Sequence, residues 1–371
     1  MKIFNALFLL ALFPVAVLGG EIPSLKPLKN SQAPSFKGAQ WDKKALDLAA
    51  QRALNYLSQL PLKSKIQAGG YSWTVQTLTD SAQELLNINR DSQNQKQFAF
   101  ALKKNFEVFE SLGIDGKGRV IFSDYYEPVL PARFHKDSVY RYPIYRLPMN
   151  KALSSLSRKE IDIQHALAGK GLALAWLKDP FDVFDLQVQG SGILKFPDGS
   201  EILAQYAATN NLPYRPIGSI LVRQGVFKKG KISKDALHAY LKKHSDQEEK
   251  ILAQDPRYVF FKLDPFQPGE EPQGTSHQPL VPGASIAIDP ASIPLGALAY
   301  IETTSPAADA QGRFLGRFKR RSFAFCLDTG GAIKGPGRVD MYVGHGAQAQ
   351  TVSSNQWNSG KLFILIKKNK S

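Results

Sequence analysis

Cysteine is nearly absent: Cys326 is the only one in 371 residues. No disulfide can form within the chain, so a fold held by cystine bridges is excluded. The first twenty residues contain none, and so offer no thiol for a bacterial lipid anchor. Cys326 sits in the apolar stretch "RSFAFCL" with no histidine near it in sequence, which favours a buried, inert thiol over a nucleophile. Histidine is scarce too. The six, His135, His165, His238, His244, His277 and His345, show no pair at metal-ligand spacing. They read as solvated or structural, and neither a metal nor an organic cofactor is expected. Acidic residues are outnumbered, 32 against 47 Lys and Arg, for a net charge of +15. Such a surface attracts polyanions and anionic surfaces and is silent about fold.

What is present narrows the choice of polyanion. "MKIFNALFLLALFPVAVLGG" places one cation, Lys2, before an uncharged apolar run that ends at Leu18, then Gly19 and Gly20. That is the layout of a secretory signal peptide over residues 1–20, with small residues for cleavage. The run is short of the about 20 apolar residues that a membrane span needs, and Pro14 interrupts it; retention as an anchor is the alternative. Export argues against nucleic acid as a partner and for an acidic cell-wall polymer.

Residues 21–41 are rich in Pro, Ser and Lys and read as a flexible lead-in. In "DKKALDLAAQRALNYLSQL", Leu46, Ala50, Ala53, Leu57 and Leu60 share a helical face. "SAQELLNI" reads as a helix start with a capping box from Ser81 to Glu84. A further helix carries Phe98, Leu102, Phe106 and Phe109 on one stripe and stops at Gly113. "SRKEIDIQHALAGKGLALAWL" reads as a helix capped by Ser157 and Glu160. "DVFDLQVQGSGILKFPDGSEILAQYAAT" alternates and turns at "PDG", as a hairpin or part of a barrel does. After another helix ending before Pro256, "RYVFFKL", "ASIAID", "ALAYIET", "SFAFCLD", "RVDMYVG" and "KLFILIKK" are six short strands, which suits a barrel or sandwich. The expectation is mainly β with α: a barrel domain with N-terminal helices from residues 42–128 and 256–371, and a smaller inserted domain over 129–255.

Glycine and aspartate concentrate in "DTGGAIKGPGRVDMYVGHG", Asp328 to Gly346. Three strands each bring an aspartate to a glycine- or proline-rich end: Asp289, Asp328 and Asp340. Alternation puts Cys326 with Asp328 on one strand face, and Asp340 with Tyr342 on one face. Asp289, before Pro290, suits a turn cap better than a site. Asp340 lies inside a strand, where a turn role fits poorly. To act as a general acid, an aspartate must rise about two units or more from its reference of about 3.9, through burial or a neighbouring carboxylate. Asp340, beside Tyr342 and close to Asp328, meets both conditions.

These residues carry a resemblance. "AIDPASIPLGALAYIE", "FCLDTGGAIKGPGRVDMYVG" and "WNSGKLFIL" resemble the 3D domain, named for three aspartates, over about residues 280–366. "FSDYYEPVLPAR", "YPIYRLP", "LQVQGSGILKFPDGS", "YAATNNLPYRPIGSILV" and "DPRYVFFK" resemble the rest of the membrane-bound lytic murein transglycosylase A family. The resemblance implies a double-psi β-barrel with a smaller β-rich domain inserted into it and a glycan strand between them. It implies cleavage of the β-1,4 bond between N-acetylmuramic acid and N-acetylglucosamine, leaving a 1,6-anhydromuramyl end, without a cofactor. Asp340 falls on the family's catalytic acid and Asp328 on an aspartate that supports it. Ser123, Tyr125, Tyr126, Gln189, Ser191, Tyr258, Asp289 and Lys334 are the expected substrate contacts. The family more often has Thr and Gly where Ser123 and Asp124 stand. The expected setting is the periplasm of a Gram-negative cell, as a monomer with at most peripheral membrane contact. The alternative is a non-catalytic glycan-binding protein on an expansin-like barrel.

Overall fold

The computed structural model describes residues 23–228, 234–266 and 271–369. The expected signal peptide lies outside them. Among the described residues, no helix is long and apolar enough to cross a membrane.

The first part comprises β1 (Leu25–Leu28), α1 (Lys43–Leu57), β2 (Lys65–Ala68), β3 (Tyr71–Thr74), α2 (Val75–Asp91), α3 (Gln95–Asn105), β4 (Phe106–Ser111) and β5 (Val120–Glu127). Asp42 caps α1 by accepting from the amides of Lys44 and Ala45, which supplies partners that the first helical turn lacks. Leu46, Ala49, Ala50, Ala53 and Leu57 form its buried face.

Local composition misleads at several points here. Residues 23–41, the described part of the expected flexible lead-in, are not loose: β1 pairs antiparallel with β4 from Leu25 beside Ser111 to Leu28 beside Val108, and Phe36 is buried against Tyr300 and Phe323. Ser81 is no cap. Helix α2 starts at Val75 with Thr74 accepting from the Thr77 amide, and the Ser81 hydroxyl bonds back to the Thr77 carbonyl. Phe106 and Phe109 are not on a helix either. The helix stops at Asn105, and β4 then sends Phe106 and Val108 into one core and Phe109 into the other.

The insertion contains β6 (Val129–Arg133), β7 (Tyr142–Tyr145), α4 (Lys151–Ser154), β8 (Ala173–Leu177), α5 (Pro180–Gln189), β9 (Ser191–Lys195), β10 (Glu201–Thr209), α6 (Ile217–Arg223), α7 (Lys234–Lys243), α8 (Glu248–Leu252) and β11 (Val259–Pro265). Its strands form one sheet in the order β11-β10-β9-β6-β8-β7, so "RYVFFKL", expected in the barrel domain, instead pairs with β10 and the insertion runs past residue 255. The helix expected from Ser157 to Leu177 shrinks to one π-helical turn, Lys159–Ile163. The capping pair does form, with Glu160 accepting from the amide and hydroxyl of Ser157. Gly169 and Gly171, at positive φ, then turn the chain into β8. "DVFDLQVQ" is likewise helix, not hairpin; only β9 and β10 pair across "PDG".

The remainder holds β12 (Ser285–Ala287), β13 (Leu298–Ala308), β14 (Phe314–Asp328), β15 (Arg338–His345), α9 (Gly346–Asn355) and β16 (Asn358–Lys367). The order β16-β13-β14-β12-β15-β5 closes into a barrel because Asn358 to Gly360 of β16 also pair with β5. Phe122, Ile286, Ala299, Ile301, Ala324, Cys326, Val339, Met341, Leu362 and Ile364 come from all of these strands and meet in one cluster, which is the barrel interior. The alternate residues Leu298, Tyr300, Phe323, Phe325, Leu327, Phe363 and Leu365 face outward under α1, α2 and α3. Cys326 is buried, and burial pushes its thiol well above the ordinary range. That suits a packing role.

Candidate active site

Strands β5 and β15 run parallel, with Asp340 beside Ser123 and Tyr342 beside Tyr125. Because Phe122, Val339 and Met341 point into the barrel, their neighbours Ser123, Tyr125, Asp340 and Tyr342 project from its outer side. The insertion faces this row. Its Gln189 accepts from the Tyr126 amide at 3.2 Å, its Arg257 guanidinium lies against Gly331, and its Tyr214 feels the charge of Asp340.

Asp328 and Asp340 sit level with each other. Both are register partners of Ala287, one on each side of β12, which places their Cα atoms about 10 Å apart at ordinary strand spacing. Simple alternation would have sent Asp328 inward with Cys326. A bulge between β12 and β14 breaks the register there, and Asp328 turns out to meet Tyr125.

Their surroundings differ. Asp328 is saturated with donors: Tyr125 Oη at 2.7 Å on one oxygen, and the Thr275 amide and hydroxyl at 2.9 and 3.0 Å on the other. Burial raises its pKa, and these hydrogen bonds pull it back. Asp340 has one oxygen, Oδ1, shut off from solvent with no hydrogen-bond partner. Burial pushes it up to about 6; the Asp328 charge adds, while Arg338 and the Ser123 hydroxyl oppose. Arg338 Nη2 donates to Ser123 Oγ at 2.8 Å, which leaves the serine proton for Asp340. Burial thus raises both carboxylates, but only Asp328 has donors on both oxygens, whereas Asp340 Oδ1 has none.

Several expected contacts are placed otherwise. Tyr258 is fully buried among Tyr145, Ile161, Leu167 and Phe260, so it has no face for a sugar ring. We expect Tyr258→Ala to lower unfolding stability by about 3–5 kcal/mol, as loss of a large core ring does, without changing glycan affinity of the folded fraction; a denaturation curve and a sacculus pull-down check both. Tyr126 is also buried. It turns to the other side of β5, where its hydroxyl meets Asp185 at 3.2 Å and the Lys234 ammonium. Asp289 spends its carboxylate on backbone, accepting from Gly335 at 2.7 Å and Ala291 at 3.3 Å. It closes its own turn and pins the glycine-rich loop. In that loop Gly335 has φ +71°, and a Cβ on Gly337 would run into Ile114. Lys334 at the loop is exposed. Gln189 ends α5 and ties it to β5. Ser191 stands beside Glu127. Asp124 points away from this row. It is buried on the opposite strand face, with Oδ1 3.7 Å from Arg320, and burial holds it at about 7, with Arg320 lowering it and Asp340 raising it.

Residue order had not pointed to Thr275 or Trp357. Trp357 is 68 % exposed, and the Arg338 guanidinium lies 4.5 Å from its ring. It immediately precedes Asn358, the register partner of Phe122, so it stands at the Ser123 end of the row. A lone aromatic at a strand start inside "WNSGKLFIL" was the available signal. Trp357→Ala is expected to raise KM for glycan about three- to tenfold, the value of one ring contact of ~1 kcal/mol, with kcat little changed; steady-state kinetics on soluble glycan strands test this. A metal-type cluster also forms from residues distant in sequence: Glu127, Glu271 and His345. No spacing rule applied to histidines alone would find it.

Two family models match: the MltA specific insert domain over residues 121–262 and the 3D domain over residues 284–366. Membrane-bound lytic murein transglycosylase A of Escherichia coli K12 is 36% identical over 288 residues, covering 77% of this chain and 74% of its own. The chain belongs to the membrane-bound lytic murein transglycosylase A family. The Vibrio cholerae member is 34% identical over 256 residues, 68% of this chain and 67% of its own. Among solved structures, that of the Escherichia coli transglycosylase with bound chitohexaose superposes with a TM-score of 0.71 at 29% identity, covering 94% of this chain and 96% of the other. A family structure from Agrobacterium tumefaciens gives 0.75 at 26% identity, covering 93% and 98%. The 3D match takes in Asp289, Asp328 and Asp340 together.

Proposed function

We propose that this chain is a peptidoglycan lytic transglycosylase in which Asp340 serves as acid and then as base. It cleaves the β-1,4 bond between N-acetylmuramic acid and N-acetylglucosamine and leaves a 1,6-anhydromuramyl end. The observation that carries this reading is the contrast in hydrogen bonding between two buried aspartates: Asp340 Oδ1 has no partner and burial raises the group to about 6, whereas both Asp328 oxygens are engaged.

Protonated Asp340 donates to the glycosidic oxygen as the bond to muramic C1 breaks, and the N-acetylglucosamine end departs as an alcohol. The Asp340 carboxylate then takes the proton of the muramic C6 hydroxyl, whose oxygen bonds to C1. One residue serves both halves, and no water is consumed. An ordinary glycosidase needs a second carboxylate to attack or to activate water. Here the second carboxylate, Asp328, lies beside Asp340 in the same sheet and is held by Tyr125 and Thr275. Its charge helps Asp340 keep its proton. Arg338, Ser123, Trp357 and Lys334 supply cation, hydroxyl and ring along the glycan path.

We read the barrel as double-psi, with its parallel pairs β12–β14 and β5–β15. The chain works in the periplasm as a monomer on glycan strands. Incubation with purified sacculi tests the activity: soluble muropeptides should appear with wild type, whereas sedimentation of intact protein with undegraded sacculi would favour the glycan-binding alternative.

A further inference from the structure

The row on β5 and β15 continues past the aspartates into a second group of side chains. Glu127 ends β5, His345 ends β15, and Glu271 comes from the segment leading to β12. Each offers one ligand atom, and these atoms all lie within 4.8 Å of one another. The Tyr342 hydroxyl sits among them, 3.2 Å from Glu127 Oε2 and in a shorter contact with Glu271 Oε2. His345 Nδ1 lies 4.0 Å from Glu271 Oε2.

Among the described residues, this arrangement sets two carboxylates and a phenol against a single imidazole. A phenol has one proton and can satisfy one carboxylate; its other close contact then sets lone pairs against each other. Glu127 is 1% exposed; the Ser191 hydroxyl stands beside it, but its remaining oxygen, Oε1, is sealed from solvent and makes no hydrogen bond of good geometry. The charged group acting on Glu127 is another carboxylate, Glu271. A buried carboxylate facing its like is costly unless a proton or a cation joins them.

We propose that Glu127, Glu271 and His345 form a binding site for a divalent transition-metal ion. The donor set decides the class. One imidazole nitrogen with two carboxylates suits zinc or manganese, whereas calcium and magnesium take oxygen alone. Ligands at about 2.0–2.2 Å from a metal lie roughly 3–4.4 Å apart, so the cluster needs only a small contraction. His345 is 40% exposed on its side chain and Glu271 17%, which gives the ion a path from solvent. The ion would tie the end of β5 to the end of β15. Tyr342 packs on Tyr125 at 5.4 Å between ring centroids, and Tyr125 holds Asp328, so the site stiffens the supporting aspartate without touching Asp340. This inference is independent of the reaction assigned above.

The test uses the untagged protein freed of metal by chelator and titrated calorimetrically with zinc chloride and, separately, manganese chloride. Wild type should bind one ion per chain for at least one of the two metals. His345→Ala and Glu271→Gln should each weaken binding by more than about tenfold, since even outer partners of metal ligands are worth roughly 10–100-fold. His135→Ala, at an exposed histidine of the insertion, should bind as wild type does. Circular dichroism confirms that the variants are folded; both change side chains that already reach solvent. Failure of wild type to bind either metal, or binding by His345→Ala equal to wild type, overturns the proposal.

Discussion

Asp340→Asn should lower turnover of sacculi by about 10²–10⁴-fold, the usual worth of a positioned proton donor, while the folded variant still binds glycan. An asparagine keeps the shape and removes the proton that the leaving oxygen needs. The buried setting makes this substitution mild for the fold, because Oδ1 has no hydrogen-bond partner to lose. Asp328→Asn should cost less. Its task is to hold a negative charge beside Asp340 and to fix Tyr125 and Thr275. Turnover by Asp340→Asn equal to wild type would remove Asp340 from the reaction.

A second large effect is the dependence on pH. The acid form of Asp340 is needed in the first half of the reaction, and burial raises its pKa to about 6. Turnover per encounter should therefore be full below that value and fall about tenfold per unit above it, roughly a hundredfold over two units. The direction of change in variants follows from the neighbours. Ser123→Ala and Arg338→Gln each remove an influence that lowers the Asp340 pKa, so the falling limb should move to higher pH. Asp328→Asn removes a like charge, so the limb should move to lower pH. Asp124 titrates in the same range, at about 7, but lies on the other strand face. Asp124→Asn should shift the limb only slightly downward, and a profile that tracked Asp124 instead would displace Asp340 as the titrating acid. Profiles of kcat/KM across the variants decide this.

What could be read from residue order was governed by how local the cause was. The barrel strands announce themselves through alternation, and Val339, Met341 and Asp340 fall on the faces that the pattern assigns. Asp289 as a turn cap was legible because its cause, the following proline turn, is adjacent in sequence. Where a distant partner decides, the signal fails. Residues 25–28 look like a linker until β4 pairs with them. Phe106 continues a helical stripe in sequence, yet β16 captures it as a strand, with Lys367 as its register partner. Tyr258 is aromatic in a glycan enzyme and still belongs to the core, because packing around Arg158 and Phe260 encloses it. The outward turn of Asp328 depends on a bulge against β12, and a period of two cannot foresee a bulge. Trp357 and Glu127 gain their meaning only when β5, β15 and β16 are laid side by side.

The decisive measurement concerns what captures muramic C1. Water and the C6 hydroxyl of the same sugar compete for it, and an aligned intramolecular group has an effective molarity of about 10⁵ M or more. Alignment requires the ring to bring C6 under C1, a shape that binding of the neighbouring sugars can hold. With Asp328 tied to Tyr125 and Thr275, it is not placed to activate water. Sacculi should be digested in ¹⁸O-water and the glycan ends weighed by mass spectrometry. Unlabelled ends, lighter than hydrolysis products by one water and without a new reducing terminus, are the expected result. Label at muramic C1 would show that water had attacked and would contradict the assignment of Asp340 as acid and then base.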